Sequence, residues 1–295
     1  MKPFIAFFIA CFVCAGCGTQ TVHELIVCGD DKILIIDEDA SSGTDVKIAW
    51  SWKVADTASQ LPEAYQQYLR GVDDCKPVDG GKNILATAGR GVVLIERATK
   101  KCLFYACVPN AHSADVLPGG RIVVALSEHP EGNSLEIYDR DRSEHVLFRD
   151  SLFSGHGAVW NAKRQRLYAL GYDELREYSL ANWDTPAPAL KLEKKWTIPG
   201  ISGHDLSPVS DDELLITEHH GVHSFDIATE TFTPFEPLKN AKDVKSVNYI
   251  RNSRKLVYTQ AEESWWTFNI QIKNPDKSIN IPDVKMYKVR LLYSK

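Results

Sequence analysis

Three copies of one short motif each bring a histidine to the start of an apolar strand. They are Ala111-His112-Ser113-Ala114, Gly155-His156-Gly157-Ala158 and Gly203-His204-Asp205-Leu206. Neutral imidazoles are common ligands of transition metals, and three of them facing one axis can hold such an ion with a position left open for substrate. Gln260 offers a fourth donor. A metal held this way would offset a substrate carboxylate and make the adjacent C–H more acidic, with Lys245 or His220 as the base. Without a metal, the same histidines can contact a ligand directly. A structural role is the third possibility: each ring ties a loop to a turn acid, Asp211-Asp212 for His204 and Asp141 or Asp173 elsewhere. A buried, satisfied imidazole needs no ligand.

Other chemistry-bearing residues narrow the choice. Trp265-Trp266 is an adjacent pair on an extended segment: either both rings pack in the core, or one packs inward and the other faces water. An exposed indole beside polar groups suits stacking on a sugar ring. His219-His220-x-x-His223 has metal-like density, but neighbours in a tight hairpin point to opposite faces, so a joint site is not expected. Glu262-Glu263 and Glu128 with Glu131 are acid pairs of the kind glycosidases use, with no separation readable from sequence. The chain has no GxSxG elbow and no Walker loop. Gly89-Arg90-Gly91 is a hairpin turn, too short to cradle phosphate.

These residues need a scaffold that repeats. Two further copies lack the histidine, one from Asp74 to Thr87 and one from Lys245-Ser246 to Thr259. Repeats of about 40 residues made of short strands indicate a β-propeller. Hairpins recur throughout: Leu25 to Cys28 with Ile33 to Ile36, Ile84 to Ala88 with Val92 to Glu96, Leu167 to Leu170 with Leu175 to Tyr178, Leu214 to Thr217 with Val222 to Asp226. The expected fold is all-β, a propeller of about six four-stranded blades with one short helical insertion in Asp56 to Leu69. Val284 to Leu292 is expected to close the ring against the first strands, since an open ring leaves bare edges. Lys273 to Pro282 reads as a loop. In a four-stranded blade the loop entering the inner strand and the loop between the middle strands share a face. His112, His156 and His204 then ring the channel mouth, with Asp74 and Lys245-Ser246 at the equivalent places. Arg90, His129, Tyr172, His219, His220, Gln260, Trp265 and Trp266 lie beside them.

The N-terminus points to export. Lys2 precedes the apolar run Phe4 to Val13, too short to span a bilayer and shaped like a signal-peptide core. Ala15-Gly16-Cys17 resembles a lipobox, although Cys14 sits where a Leu is usual. The expected layout is a leader over 1–16, Cys17 as the lipidated first mature residue, a tether over 17–23, and one propeller domain over 24–295. The membrane is met through that anchor only. Four cysteines follow Cys17 with no zinc or CxxC spacing, and buried free thiols are expected for at least some of them. The net charge of −5 is interspersed and gives no basic field for nucleic acid.

Gly-His before an inner strand resembles WD-type repeats, and Gly29-Asp30-Asp31-Lys32 followed by Trp50-Ser51-Trp52 resembles quinoprotein-type repeats. Over residues 24–293 the chain is similar to an uncharacterised family of Bacteroidetes lipoprotein propellers. The likeness is carried by His112 to Gly120, Leu170 to Leu175, Gly203 to Pro208 and Tyr258 to Glu262 before Trp265-Trp266-Thr267. This implies the fold and no reaction. Oligogalacturonate lyases are propellers that hold a metal with three His and a Gln, a precedent for the chemistry without chain-wide likeness. The expected role is an envelope protein that binds a glycan or glycan fragment at the channel mouth. A metal-dependent lyase or hydrolase on acidic sugars, with a divalent transition metal as cofactor, is the first alternative. A protein-interaction scaffold is the second.

Overall fold

The computed structural model describes residues 23–292. The segment expected to be a leader, and Cys17, lie outside them. Six four-stranded antiparallel sheets surround one axis. The first blade takes β1 (Glu24–Gly29), β2 (Lys32–Asp37) and β3 (Ile48–Lys53). The second is β4 (Val72–Val78), β5 (Asn83–Ala88), β6 (Gly91–Glu96) and β7 (Cys102–Cys107). The third is β8 (Ala111–Val116), β9 (Ile122–Leu126), β10 (Ser134–Tyr138) and β11 (Val146–Ser151). The fourth is β12 (Gly157–Asn161), β13 (Arg166–Leu170), β14 (Glu174–Ala181) and β15 (Ala189–Thr197). The fifth is β16 (Asp205–Ser210), β17 (Glu213–Thr217), β18 (Val222–Asp226) and β19 (Thr231–Pro234). The sixth is β20 (Val244–Ile250), β21 (Lys255–Gln260), β22 (Asn269–Lys273) and β23 (Lys277–Asn280). Finally β24 (Met286–Leu292) returns to the first blade and pairs with β1, Leu25 opposite Leu291 and Val27 opposite Val289. The expected closure is therefore present, and the chain's last strand is the first blade's innermost.

The middle strands are near-continuous apolar runs because both faces are buried. On β2, Ile33 and Ile35 pack into the cluster shared with the second blade, while Leu34 and Ile36 pack toward the sixth. Period-two alternation thus assigns each side chain to one of two neighbouring blades. The same division gives one apolar cluster at each of the six blade junctions. Burial of this kind stabilises by roughly 25 cal/mol per Å² of apolar area.

Two expectations change. The helix expected in 56–69 shrinks to a 3-10 turn, Val54–Thr57, and a single α-turn, Tyr65–Tyr68. Tyr65 is held down by burial in the cluster between blades one and two and by its hydroxyl donating to Glu144, so tertiary packing rather than helix length fixes it. The loop expected over 273–282 contains β23. Ile279 is fully buried at the junction of blades six and one, which gives that edge strand its anchor. Among the described residues all four cysteines are free, Cys28 and Cys75 fully buried, and no helix is long and apolar enough to cross a membrane.

Gly157 lets the inner strands of blades four and five approach closely. A Cβ there would sit 2.5 Å from the Cβ of Leu206 and 3.0 Å from that of Leu170. Gly157→Ala is expected to destabilise by about 1–3 kcal/mol through overpacking. Urea unfolding checks this, and an unchanged midpoint would show that blades four and five can separate freely.

Candidate functional site

Each inner strand places one residue at the same height on the channel mouth. The six are Asp73, His112, His156, His204, Lys245 and Tyr287. Asp73, His112 and Lys245 are skipped in the ladders with the neighbouring strands, and the β24 register slips between Met286 and Val289. A bulged residue has no ladder partner, and its side chain is re-aimed. His156 and His204 lie one residue before β12 and β16, their N–H groups donating to the Leu170 and Thr217 carbonyls. The bulges explain a correction. Asp73, not Asp74, is the ring member of the second blade, and Asp74 and Ser246 lie one residue deeper. Tyr287 was missed altogether. The signal available was the alignment of the strand starts: Asp73-Asp74, His112-Ser113, His156-Gly157, His204-Asp205, Lys245-Ser246, Tyr287-Lys288.

The ring side chains pack on one another. His112 meets His156 edge to face at 4.4 Å between centroids, His156 meets His204 at 5.9 Å, and His112 meets Tyr287 at 5.7 Å. His156 Nδ1 donates to the Ser154 carbonyl at 2.9 Å, which leaves its Nε2 as an acceptor. Lys245 Nζ lies 2.8 Å from His204 Nε2 and donates to it. That bond assigns the proton to His204 Nδ1, which is buried without a partner. Burial, then the Lys288 charge, holds the His112 imidazole down to about 3. Burial, then Lys245, does the same for His204, also about 3, and burial places His156 well below the ordinary range. Burial pushes the Asp73 carboxyl up to about 8. At neutral pH the Asp73–His112 contact at 3.8 Å is therefore between neutral groups.

The turn acids proposed as partners do not reach these rings. Asp211 and Asp212 take Lys163 and Arg164, because the β16–β17 hairpin lies at the other end of the strand from His204. Asp141 bonds Asp139 through its backbone, and the Asp173 carbonyl accepts from Ile198.

Below the ring the channel is closed by charge. Lys288 is fully buried, its Nζ 3.1 Å from the His156 carbonyl, 3.3 Å from that of His112 and 3.2 Å from Asp205 Oδ1. Arg290 makes two bonds to Asp74, both 2.8 Å, and two to Asp205, 2.8 and 2.6 Å. Burial alone would raise the Asp74 carboxyl. The Arg290 and Lys288 charges more than offset it and hold it well below the usual carboxylate range. Within this cluster two cations face two anions, so their charges offset. At the far end a smaller hollow of about 230 Å³ is lined by Lys76, Asp115, Trp160, Tyr249 and Arg290 among others.

The open space lies beside the ring. A cleft of about 550 Å³ is lined by Asp30, Asp31, Arg70, Gly71, Val72, Trp265, Trp266 and Lys285. Trp265 is 47% exposed and stands edge-on to Tyr287 at 5.8 Å, so it connects cleft and ring. Trp266 packs on Phe268, with Lys285 Nζ 5.0 Å over its ring. The other expected rim residues are spread out. Arg90 lies over Tyr68 at 5.3 Å and Tyr172 against Phe153 at 5.5 Å. His129 Nδ1 accepts from the Glu131 N–H, and Gln260 donates to the Lys242 carbonyl. His219 and His220 do not diverge: their rings touch at 4.7 Å, because they lie in a bend rather than on a strand. His219 Nδ1 lies 2.9 Å from Asp243 Oδ1. Glu262 accepts from Thr267 and Asn269, contacts that tie it to its own blade.

Fold and site define a six-bladed propeller with a polar mouth, a plugged axis and an aromatic cleft at the rim. Residues 24–295 match the model of a family of unknown function, DUF6528, and the chain belongs to that family. No curated protein matches it. Among solved structures it is similar to a protein of unknown function from Bacteroides caccae, at 14% identity and TM-score 0.61, over 93% of this chain and 100% of that one. A chain of the nidogen/laminin complex matches at 13% identity and TM-score 0.58, over 92% and 99%. Hydrazine synthase of Kuenenia stuttgartiensis matches at 14% and 0.50, over 70% and 65%. These likenesses show the fold.

Proposed function

We propose that the protein binds a saccharide, a glycan fragment taken up in the Trp265 cleft with one sugar face on that indole and its polar edge toward the channel ring. The exposed Trp265 between cleft and ring carries the reading. A large apolar ring left half in water is stabilised by a ligand that offers a flat C–H face and hydroxyls around it. Asp30 and Asp31 supply acceptors, and Arg70 and Lys285 supply donors that also suit a uronate carboxylate. The ring adds neutral imidazoles and a protonated Asp73, which bind hydroxyls without the desolvation cost of a free charge. In our reading the chain works at the cell envelope, tethered through Cys17. The leader-like run and the Ala15-Gly16-Cys17 segment support that placement.

Tryptophan fluorescence titrated with neutral and uronate-containing oligosaccharides tests the binding. Trp265→Ala is expected to weaken it on the order of tenfold, 1–2 kcal/mol, with thermal stability nearly unchanged because the side chain is half exposed. Binding that survives this substitution at full strength would rule the cleft out.

A further inference from the structure

We propose that His204, His219 and Asp243 form a divalent-metal site of the two-histidine, one-carboxylate class on the rim of the channel mouth, where the Lys245 ammonium sits as a tethered cation that the metal displaces. The ligating atoms of the three residues all lie within 4.8 Å of one another. His219 Nδ1 is 2.9 Å and His204 Nε2 3.7 Å from Asp243 Oδ1. Metal–ligand bonds of about 2.0–2.2 Å separate neighbouring donors by roughly 3–4 Å, so a small movement closes the set on one ion. Two imidazoles and one carboxylate suit zinc, cobalt, nickel or ferrous iron rather than calcium or magnesium.

A positive charge already occupies this seat. Lys245 Nζ lies 2.8 Å from His204 Nε2 and 3.3 Å from Asp243 Oδ1, so the donors are pre-oriented toward a cation. Backbone bonds hold the loops in register: the Asp243 N–H donates to the His219 carbonyl at 3.2 Å and the His219 N–H to the Ile201 carbonyl at 3.1 Å. His204 is buried, while the His219 and Asp243 side chains are 46% and 34% exposed. The site thus has a fixed inner ligand and an open outer side for water or substrate. This set differs from the one expected from the motif histidines. His112 and His156 pack on ring neighbours, and Gln260 is turned to Lys242. The site shares His204 with the ring of the saccharide reading, but His219 and Asp243, whose variants carry the test, belong to neither the ring nor the Trp265 cleft.

Calorimetric titration of the full chain with zinc, and cobalt titration read by visible ligand-field bands, test it. One equivalent is expected to bind the native protein. His219→Ala and Asp243→Ala are each expected to weaken binding by at least about tenfold, and Lys245→Met to strengthen it by about tenfold or more, since it removes a like charge a few ångströms away. His219 and Asp243 are part-exposed, so their variants are expected to fold, and they carry the test if Lys245→Met does not. Absence of binding to the native chain, or binding that persists in the His219→Ala, Asp243→Ala double variant, overturns the site. Equal or weaker binding by a folded Lys245→Met variant overturns the role given to the lysine.

Discussion

Arg290→Met is expected to destabilise the protein by about 3–5 kcal/mol, the largest single loss on the channel axis. Arg290 spans Asp74 and Asp205, both essentially without solvent contact. Its removal leaves two buried carboxylates with Lys288 as their near cation and Lys76 beyond it. Neutralising one of them should then help. The double variant Arg290→Met, Asp74→Asn is expected to be more stable than Arg290→Met, because it restores charge balance around Lys288. Urea midpoints of the three proteins decide this. If the single variant lost less than about 1 kcal/mol, the plugged axis would be a poor description of what joins the inner strands.

Acid should weaken the fold well before the carboxylates of the plug are protonated. Unfolded histidines titrate near about 6.5, whereas His112 and His204 are held to about 3 and His156 well below its ordinary range. As pH falls from about 6.5 toward 3, the unfolded chain takes up protons that the folded ring refuses, and stability drops. Asp73 acts in the opposite sense. Its carboxyl is raised to about 8 in the fold and titrates near about 3.9 unfolded, so its contribution improves as pH falls through that interval. His112 and His204 against one aspartate leave about one net proton, or roughly 1.4 kcal/mol per pH unit between about pH 6 and 4, and His156 adds to it in the same direction. Lys245 and Lys288 face the ring as cations and oppose any imidazolium. Stability should therefore peak near about pH 6.5 and fall on the acid side. Urea midpoints from pH 8 to 4 test this. A His112→Asn, His204→Gln variant should flatten the acid limb, and a pH-independent midpoint in the native protein would mean the ring is hydrated.

Much of the fold was legible because propeller blades repeat. Hairpin spacing, the apolar middle strands and the leftover segment 284–292 each had one consistent placement, and the closed ring follows from them. The turn of helix at Tyr65–Tyr68 and the strand at Lys277–Asn280 were harder. Both depend on burial against a distant blade, which local spacing does not encode. The site was legible in part. The motif histidines stand on the channel mouth, but Asp73 and Tyr287 were hidden by bulges that shift register by one residue. The partner of His204 proved to be Lys245, a residue of the next blade 41 positions away. Pairings of that kind follow from the closed ring and not from any motif. Trp265 is the exposed member of its pair because it sits in a turn rather than on a strand, which the dipeptide alone does not encode, and the cleft beside it arises from three blades meeting.

The central claim, that the Trp265 cleft takes a saccharide, is tested most directly by the indole N–H signals of the seven tryptophans in a ¹⁵N-labelled protein. Each Trp→Phe variant assigns one signal, and oligosaccharides are then added in increasing amounts. The account predicts saturable shifts of Trp265 and Trp266, with Trp50, Trp52 and Trp183 unmoved. Saturable shifts confined to tryptophans away from the cleft, or a sugar whose binding leaves Trp265 in place, would contradict it.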